Sequence, residues 1–306
     1  MHQDHNLHLG INLGFAVNRY PEPHHWVEIL EEIGVRRVQF VADLINPNLP
    51  ANFRLRKISK LVELCRENNI LIESAFTGAF TRVNHFGSGD SEIREHWIRW
   101  FIEYARQMSP LQVTSLGGHP GILSIEDDAN TKIREKRIKQ IVQCWAKVLE
   151  GSSQFGIRKI FWEPMSVSRE IGHTIEDALA FQSIFEAECG DAAQLCLDLD
   201  HGDIESSQIH DCDPHFWIET FAQSIGAVHL KQTTPDRRRN MSFTKSNNEM
   251  GTVKAKSIIE SLLSNGVKDI TLFLELGFRE RNPDDSNAVQ EIGESVQYWL
   301  DSGLLL

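Results

Sequence analysis

Strand-like and helix-like segments alternate through this chain almost without interruption, and that rhythm restricts its fold more than any other feature. Short apolar runs occur at 7–14 (LHLGINLG), 35–43 (VRRVQFVAD), 70–76 (ILIESAF), 112–118 (QVTSLGG), 158–164 (RKIFWEP), 193–199 (AQLCLDL), 226–231 (GAVHLK) and 269–276 (DITLFLEL). Most are rich in Ile, Val, Leu or Phe, as strands covered on both faces must be. Between them apolar side chains recur every three or four residues. One such stripe is Ile93, Trp97, Trp100, Phe101 and Tyr104; another is Ile133, Ile138, Ile141, Val142, Trp145, Val148 and Leu149. Gly34, Gly156, Gly226 and Gly266 stand just before strands, where a helix C-terminus takes a left-handed residue. Eight strands alternating with eight helices predict an α/β chain folded as one (β/α)8 barrel over residues 1–306, an ordinary length for that architecture.

No Pro/Ser-rich linker or low-complexity tract divides the chain. The segments that break the rhythm, at 43–51, 76–91, 119–130, 164–174 and above all 232–252, all follow strands. In a barrel these are the loops of the catalytic face. A net charge of −12 argues against a nucleic-acid binder, which would present a basic surface. Cys65, Cys144, Cys189, Cys196 and Cys212 are widely spaced and form no CxxC pair, which suits a reducing compartment. The opening MHQDHNLHLG lacks a signal-peptide pattern, and no apolar run is long enough to span a membrane. A cytoplasmic protein without membrane contact is expected. Trp97, Trp100, Phe101 and Trp145 could pack the barrel or form an intersubunit patch; core packing is the expectation, and a homo-oligomer stays open.

Four of the runs end on a metal-liking side chain: Glu163, Asp198, His229 and Glu275. A charge within an apolar strand is costly unless paired or ligating. If these are neighbouring parallel strands, their C-terminal ends bring three carboxylates and one imidazole together, where a divalent cation would relieve the repulsion. Such an oxygen-rich set favours Mn2+ or Mg2+ and also admits Co2+, Fe2+ or Zn2+. Asp200 competes with Asp198, because alternation points both the same way, and only the D-x-x-H spacing to His201 favours Asp198. Glu73 is a weaker candidate. His201 and His119, in SLGGHPG, are expected to contact substrate. The segment KQTTPDRRRNMSFTK after His229 places Lys231, Arg237, Arg238, Arg239 and Lys245 near the expected metal. On an acidic protein such a loop suggests an anionic substrate, since guanidinium groups bind phosphate bidentately. Arg279 or Arg281 could reach the same rim.

The order Glu163, Asp198-x-x-His201, His229, Glu275 resembles that of the xylose isomerase-like TIM barrel superfamily, specifically its sugar-phosphate isomerase/epimerase branch, which includes ketose 3-epimerases. The loops RRRNMSFTK and LELGFRERNPDDS further resemble tetrulose-phosphate epimerases/isomerases of erythritol catabolism. The resemblance implies Glu163, Asp198, His229 and Glu275 as metal ligands, Glu163 and Glu275 as the acid/base pair, His201 on the substrate, and Arg237 as a substrate arginine. Superfamily nucleases with three zinc ions need a D-x-H after the strand-seven histidine, and none occurs between His229 and Glu275.

The expected chemistry follows from those ligands. A divalent ion chelating a ketone oxygen and an adjacent hydroxyl acidifies the neighbouring C–H and stabilises an enediolate. A carboxylate beside that carbon removes the proton. Reprotonation on the other face gives a C3 epimer, and return to the adjacent carbon gives aldose–ketose isomerisation. Loss of a β-hydroxyl gives a dehydratase of the kind acting on inososes or dehydroshikimate. The leading expectation is a metal-dependent epimerase or isomerase of a small ketose or ketose phosphate. A lyase is the alternative, ahead of a non-catalytic sugar-binding barrel or a DNA repair enzyme.

Overall fold

A computed structural model describes residues 5–236 and 240–306 of the chain. Its strands are β1 (Asn6–Asn12), β2 (Arg37–Val41), β3 (Leu71–Phe76), β4 (Ser115–Gly118), β5 (Lys159–Trp162), β6 (Ala193–Asp198), β7 (Ile225–Leu230) and β8 (Asp269–Leu274). Each pairs in parallel with the next, and β8 returns to β1 with Asn6 opposite Asp269 and Ile11 opposite Leu274. The sheet is a closed (β/α)8 barrel.

The outer layer comprises α1 (Pro23–Ile33), α2 (Ala51–Glu67), α3 (Ser91–Met108), α4 (Ile125–Ala129), α5 (Thr131–Ser153), α6 (Ile175–Cys189), α7 (Pro214–Phe221), α8 (Lys245–Met250), α9 (Ala255–Ser264) and α10 (Asp284–Asp301). Side-chain caps start several of these: Asp90 accepts from Glu92 N, Asn130 from Ile133 N, Thr174 from Asp177 N and Asp213 from His215 N. The main core lies between strands and helices. Trp100, Phe101 and Trp145 are buried there with Trp97 packed against them, so the aromatic stripe serves this chain's own interior. Ile93, read as the start of that stripe, is exposed instead, one turn before α3 meets the barrel.

A second, smaller core fills the barrel itself: Phe76, Phe161, Cys196, Ala227 and Phe273. Three glycines make room for its rings. A Cβ at Gly10 would come 2.6 Å from Phe273, one at Gly117 2.1 Å from Phe76, and one at Gly226 2.6 Å from Phe161. Gly34, Gly156 and Gly266 adopt the expected positive φ. Gly226 does not: it lies inside β7, and ring packing rather than a helix cap requires it.

Candidate metal centre and active site

Glu163 follows β5 by one residue, Asp198 ends β6, His229 is the penultimate residue of β7, and Glu275 follows β8. The backbone ladder carries on through both glutamates, with Glu163 N donating to Gly118 O at 3.1 Å and Glu275 N to Leu230 O at 3.2 Å. Parallel register sets Asp198 beside His229. One ligand atom from each of the four side chains lies within 4.8 Å of all the others. His229 Nδ1 is 3.0 Å from both Glu163 Oε1 and Glu275 Oε2. Its Nε2 lies 2.7 Å from Gln39 Oε1, which also accepts from Asn12 Nδ2 at 2.6 Å.

Two cations balance the carboxylates. Lys231 Nζ is 2.5 Å from Asp198 Oδ2 and 2.6 Å from Glu275 Oε2. Burial disfavours its charge, but Asp198 and Glu275 outweigh that and raise its pKa well above the ordinary lysine value. Burial likewise opposes charging of His229, yet the Glu275 and Glu163 carboxylates packed around it raise its pKa well above 6.5. Conversely, burial pushes the Glu275 carboxyl up, while His229 and Lys231 hold it far below the usual carboxylate range. Asp198 follows the same balance, with burial opposed by His201 and Lys231.

The structure brings the remaining expected residues to different places. His201 borders the centre, its Nδ1 donating to Pro164 O at 2.8 Å and its Nε2 3.3 Å from Asp198 Oδ2. Asp198, not Asp200, joins the cluster: β6 ends at Asp198, and Asp200 turns away to accept from Asn240 N at 3.0 Å. Burial, then the Asp198 charge, raise the pKa of Asp200. Glu73 lies towards the N-terminal ends of the strands in an ion pair with Arg37. His119 is buried beside the cleft, with Nε2 donating to Val83 O at 2.8 Å, and burial brings its pKa down to about 4. Arg237, Arg238 and Arg239 lie outside the described residues. Arg279 and Arg281 are exposed and do not line the cleft; Phe278 and Glu280 do.

That cleft has two lobes meeting at Gly78, Ala79 and Glu275. One, of about 390 Å³, is walled by Asn12, Phe15, Asp43, Lys231, Asn240 and Phe278. The other, of about 440 Å³, is walled by Arg82, His119, Glu163, Met165, Glu170 and His201. Sequence reasoning missed Asn12, Gln39, Asp43 and Arg82. The available signal was weak: an amide within the apolar run VQFV, an acid just beyond it, and one arginine in the irregular segment 76–91.

No family model matches the chain. A D-erythrulose 1-phosphate 3-epimerase of Brucella abortus (strain 2308) is 31% identical to it over 302 residues, covering 97% of each. The chain belongs to the sugar-phosphate isomerase/epimerase branch of the xylose isomerase-like barrels. Solved structures share the fold of this epimerase-branch barrel. A Rhodospirillum rubrum ATCC 11170 protein, provisionally named a xylose isomerase, matches with a TM-score of 0.87 at 22% identity, over 97% of this chain and 99% of that one. D-psicose 3-epimerase from Clostridium cellulolyticum H10, in crystals with D-tagatose, matches with a TM-score of 0.72 at 14% identity, over 98% and 100%. At those identities the two structures speak for the fold alone. Among the described residues of this family member, no helix is long and apolar enough to cross a membrane.

Proposed function

We propose that this barrel inverts C3 of a short ketose phosphate, with erythrulose 1-phosphate as the first substrate to test. The observation that carries this reading is the convergence of Glu163, Asp198, His229 and Glu275 in a chain alignable along nearly its whole length with a D-erythrulose 1-phosphate 3-epimerase. Three carboxylates and an imidazole, with the Lys231 ammonium already drawn among them, fit a divalent ion, Mn2+ or Mg2+ by donor hardness. Such an ion, when bound, would polarise a ketone and its neighbouring hydroxyl.

The chain's own residues supply the rest. Glu163 and Glu275 both border the cleft, and Glu275 stands where its lobes meet. One glutamate, as the carboxylate, takes the C3 proton, while the other, entering as the carboxylic acid, gives its proton to the opposite face, so that the pair exchange protonation states in each turnover. His201, and Lys231 once an ion has taken its place among the carboxylates, hold substrate oxygens. Arg82 and Arg237 are candidates for the phosphate; Arg82 is 40% accessible and already pairs with Glu170 in one lobe. His119, neutral and bonded to Val83 O, shapes the cleft wall. The free thiols suit action in the cytoplasm.

The test is proton NMR in D2O with D- and L-erythrulose phosphates, unphosphorylated erythrulose and metal-stripped protein. Ion-dependent deuterium at C3 with conversion between enantiomers is the expected result. Exchange that yields an aldose makes the enzyme an isomerase, and no exchange with any ketose despite bound ion refutes the reading.

A further inference from the structure

We propose that Gln39 is a positioning residue that, with Asn12 behind it, commits His229 to present Nδ1 to the centre. The inference rests on reading the four side chains as a divalent-ion site. Its starting point is a backbone group that can only donate: Gly14 N–H, which reaches Asn12 Oδ1 at 2.7 Å. The Asn12 oxygen is thereby occupied, and its Nδ2 turns to Gln39 Oε1 at 2.6 Å. Gln39 spends its own Nε2 on Ser74 Oγ at 3.2 Å. Its oxygen therefore faces His229 Nε2 at 2.7 Å, and two acceptors cannot share that contact, so Nε2 carries a proton. Nδ1 is then the atom left for the centre, 3.0 Å from Glu163 and Glu275.

Gln39, Ser74 and His229 are 0% accessible, so solvent cannot take over a bond lost between them. A metal-ligating histidine is usually oriented by the partner of its other nitrogen, and loss of that partner typically weakens binding about 10–100-fold. Here the partner is a neutral amide whose polarity is set from the turn after β1, and it adds no fourth anion to three carboxylates.

The experiment compares Mn2+ titrations of the wild type, Gln39→Met and Gln39→Glu, together with 15N-histidine NMR of the Zn2+-loaded wild type. Methionine keeps the length of glutamine without an acceptor, whereas glutamate keeps the acceptor. Gln39→Met should bind Mn2+ about 10–100-fold more weakly, and Gln39→Glu should stay within a few fold of wild type. A packing role gives the reverse order, because a buried charge then does more harm than an apolar isostere, and that order overturns the proposal. The NMR arm needs no variant and decides alone if Gln39→Met does not fold. A protonated Nε2 with the ion on Nδ1 supports the assignment; an ion on Nε2 overturns it. Wild type that binds neither Mn2+ nor Zn2+ removes the metal reading and this inference together, whereas equal Mn2+ binding by wild type and Gln39→Met removes this inference only.

Discussion

Lys231→Met separates the charge balance of the ion-free centre from its ligand geometry. The ammonium lies 2.5 Å from Asp198 Oδ2 and 2.6 Å from Glu275 Oε2, on a side chain 8% accessible. At an effective dielectric of about 20, each contact is worth roughly 6 kcal/mol of Coulomb attraction. Desolvating the buried ammonium consumes several kcal/mol of that gain. Removing one partner of a buried pair costs about 3–5 kcal/mol, because the charges left behind have no compensation. Metal-free Lys231→Met should therefore be less stable than wild type by about 3–5 kcal/mol in urea unfolding at neutral pH. Divalent ion should narrow that gap. In the variant a bound cation compensates Asp198 and Glu275 without first displacing a lysine, so saturating Mn2+ stabilises it more than it stabilises wild type. Equal metal-free stabilities, or a gap that Mn2+ leaves unchanged, would refute the counter-ion argument. The same variant should turn over more slowly even when loaded, because the substrate then loses the lysine.

Glu163→Gln and Glu275→Gln should each lower C3 proton exchange by at least about 100-fold, the usual scale of a general acid or base, while the melting transition of the apoprotein persists; substantial exchange in both would end the two-carboxylate scheme. Asp198→Asn should weaken Mn2+ binding far more than Asp200→Asn, because Asp200 stands outside the four-residue cluster and accepts from Asn240 N; isothermal titration of the pair checks the ranking. Burial depresses the His119 pKa to about 4, so between that value and 6.5 the unfolded chain binds more protons than the folded one. The stability held at His119 is complete above about pH 6.5 and is lost as pH falls towards 4, by up to about 3 kcal/mol. His119→Gln should make urea midpoints fall less steeply across that window, and an unchanged slope would contradict the assignment.

The barrel was legible because its determinants are local and repeated. Apolar runs long enough for a strand, helical stripes and positive-φ glycines recur in order, and each observed strand falls largely within one predicted run. Boundaries were less legible where turns intrude: β4 begins at Ser115 rather than Gln112, because Ser109–Leu111 is a 3-10 turn and Gln112 itself adopts φ 58°. The convergence of the four ligand candidates was legible for an energetic reason, since a carboxylate inside an apolar run needs a partner. Strand alternation alone did not choose between Asp198 and Asp200, because it holds only while the strand lasts and β6 stops at Asp198; the D-x-x-H spacing to His201 made that choice. Gln39 was illegible for a different reason. An amide carries no charge to demand explanation, and its partner His229 lies 190 residues away.

The floor of the centre explains why neutralisation falls to so few groups. Phe76 meets His229 edge-on at 5.3 Å, and Phe161, Phe273 and Cys196 complete the layer below. Burial raises the Cys196 thiol to about 11, so it supplies no thiolate at neutral pH. Water cannot reach the cluster through packed rings, each seated against a glycine that admits nothing larger. The three carboxylates must therefore be answered from the side or from the cleft. His229 and Lys231 answer them from the side. A divalent ion held by Glu163, Asp198, His229 and Glu275 would take over that neutralisation and leave Lys231, which also lines the cleft, available to an anionic substrate. Gly117→Ala and Gly226→Ala should therefore displace Phe76 and Phe161, which a Cβ would approach to 2.1 and 2.6 Å, and weaken Mn2+ binding in titration without altering a ligand; unchanged affinity in both would contradict this.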